Sequence, residues 1–247
     1  PLWSQAGVTN PYIASFTSLY HPPGSKAILG YLQTSPEYAM KRMLTAGSGC
    51  IYQISKAFRD GEAGRYHNPE FTLLEWYRIG FDHQKLLQEV LALLTEVAHA
   101  PAPIIMTYTQ AFMRFLGLCP HQAVLPQLHQ ALTQHKVHSI GVDLQDRDLC
   151  LQLLMTEVIE RQFDPALPTV IIDFPASQAA LARVLPGEPP VAARFEVYWQ
   201  GVELANGFYE LSDANEQRRR FQEDLAKREM LGLPLIPIDE HLLAALQ

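Results

Sequence analysis

The sequence predicts an α+β fold, an antiparallel sheet flanked by helices. Three observations lead there. Residues 50–59 and 70–79 alternate apolar and polar side chains on either side of a polar, glycine-containing loop, the pattern of a hairpin. Residues 193–206 repeat the pattern around the two-residue turn Gln200-Gly201. Residues 84–98 instead place Leu86, Leu87, Val90, Leu94 and Val97 on one helical stripe.

Along the chain, residues 6–30 are rich in Gly, Pro, Ser and Thr and read as loop with short strands. Ser35-Pro36-Glu37 then announces a helix, with Ser as N-cap, Pro at the first helical position and an acid in the first turn. Met40, Met43 and Leu44 give it an apolar face, and Gly47 and Gly49 end it. The first hairpin and the 84–98 helix follow. Residues 100–186 read as short helices joined by Pro-rich turns, with Asp146 capping a helix to about residue 162. TVIIDF at 169–174 reads as a buried strand. After the second hairpin, Asp213 with Glu216 fits a capping box for a helix to about Met230, closed near Gly232.

A chain of 247 residues can bury a full core as one domain, or as one large domain with an insertion. No apolar run reaches the roughly 18 residues that span a bilayer, and no signal peptide is evident. A net charge of −7 argues against a broad nucleic-acid surface, which needs a clustered basic face. Cys50, Cys119 and Cys150 show no metal spacing and read as buried free thiols of a reducing compartment. His129, His135 and His138 have no metal spacing either, and His21 and His83 are expected at the surface. Arg218-Arg219-Arg220 read as a solvated helix face, with contact to a protein substrate as the alternative.

Chemistry concentrates on the two hairpins. On the strand from Phe71, alternation puts Phe71, Leu73, Glu75 and Tyr77 on one face, with Arg59 and His67 on the arms of the loop. That layout suits a nucleotide, with phosphates by the arginines, a base on the ring and a cationic group near Glu75. A solvated hairpin with charges at its tip fits the alternation equally well. In the second hairpin the turn pairs Trp199 with Val202 and Tyr198 with Glu203, so Glu196 and Glu203 project from one side. With no basic side chain between them, two such acids repel unless a cation intervenes, and Mg²⁺ suits carboxylates plus phosphate oxygens. Two solvated acids are the alternative. Asn206 points away from Glu203 by strict parity, unless a bulge at Gly207 re-aims it.

GRYHNPEFTLLEWYR at 64–78, following Phe58-Arg59, resembles motif 2 of the lysyl branch of the class II aminoacyl-tRNA synthetases. Together with DFPASQAALA at 173–182 and RFEVYWQGVELANGF at 194–208, it is similar to the elongation factor P lysine ligases of that branch, across nearly the whole of residues 1–247. The resemblance implies a single class II catalytic domain that uses ATP and Mg²⁺. The implied reaction activates lysine, by preference (R)-β-lysine, as an adenylate and transfers it to a lysine of elongation factor P. It implies Arg59 as the catalytic residue, with Arg59, Glu62, His67 and Phe71 on ATP. Glu37, Glu75, Tyr77, Asn206 and Glu210 are implied on lysine, and Glu196 and Glu203 on Mg²⁺. It further implies a cytoplasmic homodimer as the intact protein, with neither membrane nor tRNA as partner.

Two departures stand out. The family carries Glu two residues after the motif 2 arginine, against the adenine amino group; here that position is Gly61, between Asp60 and Glu62, and Glu62 is the candidate to take its place. Pro1 matches the end of motif 1 and Gln247 falls before motif 3, so the 247-residue chain alone is expected to be inactive. A lysyl-tRNA synthetase catalytic fragment, or a truncated paralogue that only binds amino acid or partner, are the alternative readings.

Overall fold

The computed structural model describes residues 1–137 and 144–246. Of the histidines considered above, His138 lies outside them. The chain divides into two compact units, residues 1–80 with 212–247 and residues 81–211.

In the first unit, Trp3–Ser4, Ile28–Leu32 and Thr17–Tyr20 form a small antiparallel sheet in that order. Gly30 is required at its centre, because a Cβ there would lie 2.0 Å from the Trp3 indole. The hairpin pairs Ile51–Phe58 with Glu70–Tyr77 in unbroken antiparallel register, with Gln53 opposite Glu75 and Ala57 opposite Phe71. The helix predicted from Ser35 spans Glu37–Thr45, and the Ser35 hydroxyl accepts from the Glu37 N–H at 3.4 Å. Its buried face differs from the expected one: Met40 and Lys41 are buried, whereas Met43 is exposed. The Arg42 guanidinium donates to the Asp239 carboxylate at 2.9 Å, ahead of the helix Glu240–Ala245. Asp213 caps Ala214–Met230 by accepting from Asn215 and Glu216 N–H groups. Glu216 turns instead to Arg219 and Arg220. Arg218 pairs with Glu240, and Arg219 also reaches Glu223, so the arginine triad is an ion-paired face.

In the second unit, a sheet runs Val202–Phe208, Val191–Trp199, Thr169–Pro175, Ile104–Thr107, with Val184–Leu185 paired to Val191–Trp199. It is antiparallel except that Ile104–Thr107 runs parallel to Thr169–Pro175. That short strand was not legible among the helices expected for 100–186. A parallel pair needs a long crossover, and the helices Tyr108–Leu116, Leu125–Gln134 and Arg147–Leu154 supply it. Asp146 caps the last of these, which continues as a π turn, Met155–Ile159, and a 3-10 turn to Gln162. Phe112, Leu128, Leu151, Leu154, Ile159 and Ile171 fill the core between crossover and sheet. Tyr108 stacks on Phe112 with ring centroids 4.6 Å apart. The helix His83–Ala98 is capped by Asp82, whose carboxylate accepts from Lys85 N–H at 2.8 Å. It buries Leu87 and Val90, while Val97 is exposed. His83, expected at the surface, is buried in its first turn. No disulfide joins the three cysteines, and against the expectation Cys50 is exposed and only Cys150 is buried. No helix among the described residues is long and apolar enough to cross a membrane.

Candidate active site

The first set of candidate residues lies in the first unit. The Arg59 N–H donates to Pro69 O at 2.9 Å and closes the hairpin loop. Its guanidinium sits 5.2 Å from the centroid of the Phe71 ring and 3.6 Å from a Glu62 oxygen, and its Nε donates to Thr34 O. Arg59, Phe71 and Glu62 therefore come together. Gly61 between them has φ +78°, a conformation L side chains rarely adopt, which accounts for glycine at that position and leaves Glu62 to bring the carboxylate. His67 is exposed and contributes its carbonyl to the loop, accepting from Gly64 N–H at 3.0 Å.

Farther along the same strand face, Tyr77 donates its hydroxyl to Glu75 Oε1 at 2.8 Å. Alternation placed both on one side, and the structure joins them. Burial pushes the Glu75 carboxyl up to about 7, and the like charge of Glu37 adds to the rise; the Tyr77 hydrogen bond and the Lys41 ammonium oppose it. Glu37 opens the helix Glu37–Thr45, and its Oε1 lies 2.6 Å from the Lys41 Nζ. Burial holds the Tyr38 hydroxyl well above the usual phenol range, with Glu37, Asp224 and Asp239 adding to it. The result is a recessed acid set suited to hold an ammonium group.

The second set lies in the second unit. The turn at Gln200 and Gly201 has φ +55° and +76°, with Trp199 opposite Val202 and Tyr198 opposite Glu203 as expected. The register then shifts between Glu203 and Ala205, so that Asn206 stands opposite Glu196. The bulge is thus at Leu204, not at Gly207, and it returns Asn206 to the face of Glu203. Gly207 serves a different need: a Cβ there would come 2.4 Å from the Phe195 ring. Glu210 forms an isolated bridge with Ala182.

The expectation of no basic side chain between Glu196 and Glu203 left out the far side of Glu196, where Arg194 stands. Glu196 accepts from the Arg194 guanidinium and from the Tyr198 hydroxyl. Arg194 is two residues away on the same face, so alternation could have found it. It also donates to Gln178 O at 3.0 Å and stands 4.4 Å from the Phe174 ring centroid. Glu160 has no sequence signal and is brought in by the fold. Burial pushes its carboxyl up to about 7, helped by the charge of Glu196 and opposed by a hydrogen bond with Tyr198. Glu203 is exposed. No group of three or more His, Cys, Asp or Glu among the described residues could cage a metal by itself. The donor set fits Mg²⁺ in its usual manner, with one or two carboxylates and the remaining positions left for phosphate and water.

The family model for class II tRNA synthetases (D, K and N) matches residues 10–243. The elongation factor P--(R)-beta-lysine ligase of Vibrio cholerae is 50% identical over 248 residues, covering 100% of this chain and 76% of the relative. The ligase of the same name from Vibrio parahaemolyticus is 49% identical, covering 100% and 77%. That of Edwardsiella ictaluri is 48% identical, covering 100% and 76%.

Proposed function

We propose, from the premise that this chain belongs to the class II tRNA synthetase (D, K and N) family, that it is an ATP-dependent ligase which activates a lysine, by preference (R)-β-lysine, and transfers it to a lysine of elongation factor P. The choice of acceptor follows relatives of that name at about half identity over the full chain. The observation that carries the substrate class is Glu75, a half-buried carboxylate that accepts a hydrogen bond from Tyr77 and feels the charge of Glu37. A recessed carboxylate is costly to ionise alone and is stabilised by an incoming ammonium.

In the first step a substrate carboxylate oxygen attacks the α-phosphorus of ATP, and pyrophosphate leaves. In the second the acceptor amine attacks the acyl carbon; AMP leaves and the amine gives up its proton. No enzyme nucleophile is required, so the protein's work is position and charge. Arg59 is assigned to the α-phosphate, Phe71 to the adenine ring, and Glu62 and His67 to the nucleotide beside them. Glu75 and Tyr77 are assigned to the side-chain ammonium and Glu37 to the other amino group. Asn206 and Glu210 are assigned to the remainder of the lysine. Glu196 and Glu203 would hold Mg²⁺, which neutralises phosphate charge when bound. A cytoplasmic homodimer belongs to the same reading.

The test incubates the intact protein with ATP, labelled lysine or β-lysine, and either elongation factor P or tRNA. Label is expected on elongation factor P. Label on tRNA alone would promote the lysyl-tRNA synthetase alternative. The pairing of Arg218, Arg219 and Arg220 with Glu240, Glu216 and Glu223 speaks against tRNA, whose phosphates need unneutralised cations.

A further inference from the structure

No residue of the segment 173–182 is assigned to ATP, lysine or Mg²⁺, yet the segment closes on Glu196. The register of Thr169–Pro175 against Val191–Trp199 shifts between Ile172 and Phe174, so that Ile171 stands opposite Glu196 and Phe174 opposite Ala192. Asp173 takes up the shift in a left-handed conformation, φ +57°. Phe174 is thereby turned to the face that carries Arg194 and Glu196. Its ring centroid lies 4.4 Å from the guanidinium carbon of Arg194. The short turn Ala176–Gln178 then brings the Gln178 carbonyl to Arg194, which donates to it from Nη1 at 3.0 Å. Held by a ring face and a carbonyl, the guanidinium gives its other terminal nitrogen to Glu196 Oε1. Tyr198 donates its hydroxyl to Glu196 Oε2, and the same hydroxyl meets Glu160. Each oxygen of the Glu196 carboxylate thus accepts from a different side chain and keeps a further lone pair. The Arg194 and Glu196 side chains are only 14% and 13% exposed and Tyr198 is buried, so water competes little for these contacts.

We propose that Arg194 is a positioning residue for the metal assigned to Glu196: the bulge at Asp173 and the turn to Gln178 fix its guanidinium, and the guanidinium together with Tyr198 fixes the plane of the carboxylate. The proposal rests on the functional reading above and deepens it. A glutamate free to rotate gives up that freedom when a metal holds it, whereas Glu196 is already held. A positive charge beside a metal ligand is by itself unfavourable to the metal, so what Arg194 contributes is placement. Placement of this kind needs a planar fork. One end of the guanidinium stays on Gln178 O while the other reaches Glu196, and the single nitrogen of a lysine does not reproduce that geometry.

The experiment uses the intact protein with ATP present, lysine omitted and Mn²⁺ in place of Mg²⁺, and reads the metal seated on the protein from the enhancement of water-proton relaxation. Arg194→Lys and Tyr198→Phe both leave the formal charge unchanged, so a change in affinity reports the placement of the carboxylate. Arg194→Lys should weaken Mn²⁺ binding by about 10–100-fold, the range for removing a group that orients a metal ligand. Tyr198→Phe keeps the ring against Phe163 and should weaken it by about tenfold. In lysine-dependent pyrophosphate–ATP exchange the loss should lie in the half-saturating Mg²⁺ concentration and be largely restored at high Mg²⁺. A loss that no concentration of Mg²⁺ restores, or Mn²⁺ curves that superimpose on wild type, would overturn the proposal and leave Arg194 a packing residue. Should Arg194→Lys not fold, Tyr198→Phe decides in its place, because it frees the same carboxylate from its other oxygen. Wild type that seats no Mn²⁺ would remove the metal assignment and the proposal together; wild type and variants that seat it equally would remove the proposal alone.

Discussion

Asn206 stands directly across the second hairpin from Glu196, because one residue is taken up between Glu203 and Ala205. The next position, Gly207, faces Phe195, whose ring leaves no room for a methyl group. Gly207→Ala should therefore cost on the order of 1–3 kcal/mol, the usual range for overpacking. Its denaturation midpoint should fall, and the KM for lysine should rise through the neighbouring Asn206. An unchanged midpoint would mean that the ring can step aside and that the glycine is incidental.

Arg59 and Phe71 should separate kinetically although they touch. Arg59→Ala removes a cation assigned to transition-state charge and should lower the rate of adenylate formation by about 10²–10³-fold. Phe71→Ala removes a stacking surface and should mainly raise the KM for ATP. Equal single-turnover rates for wild type and Arg59→Ala would remove the motif 2 assignment.

Glu75 predicts a pH dependence with a definite sign. Its carboxyl is pushed up to about 7 in the folded protein from 4.5 for a solvated glutamate, so the folded state binds more protons between those limits. The group's contribution to stability is therefore greatest below about pH 4.5 and declines as pH rises toward 7, by on the order of 2–4 kcal/mol. Glu75→Gln should flatten that decline in urea midpoints measured across the window. For lysine the direction reverses: the ionised acid binds the ammonium, so kcat/KM for lysine should fall tenfold per unit below about pH 7. Glu75→Gln should weaken lysine binding by about 2–5 kcal/mol, the range for removing one member of a buried charge pair. A wild-type profile flat from pH 6 to 8 would contradict this.

Glu196 and Glu203 should each influence the metal requirement, but unequally. Glu196 is already held by Arg194 and Tyr198, whereas Glu203 is exposed at the Tyr198 position. Glu203→Ala should raise the Mg²⁺ concentration for half-maximal exchange with little loss of stability. Glu196→Ala should do both, since it leaves the half-buried Arg194 guanidinium without its carboxylate. Mg²⁺ titrations that superimpose on wild type would return both acids to a structural role.

The parts of this protein that were legible in sequence are those governed by local periodicity. The two-residue turn at Gln200-Gly201, the caps at Asp146 and Asp213, and the shared face of Glu75 and Tyr77 all follow from rules spanning a few residues. What escaped depends on partners distant in sequence or on an irregularity within an element. The strand Ile104–Thr107 exists because Thr169–Pro175 lies beside it. The bulge at Leu204 breaks the very alternation used to orient Asn206, and Glu160 reaches Tyr198 only through the folded crossover. Lys41 gives no periodic signal of its own; only the glutamate four residues before it marks a partner for a lysine held inside.

The helix Ala214–Met230 carries its own counter-ions, with Arg219 and Arg220 sharing Glu216, Arg219 also on Glu223, and Arg218 tied to Glu240. A run of three consecutive arginines is thereby made electrically quiet. On a heparin column, which binds proteins through available positive charge, the triad should give no retention. The protein should elute as an ordinary acidic polypeptide, and replacing Glu216 with glutamine should make it stick.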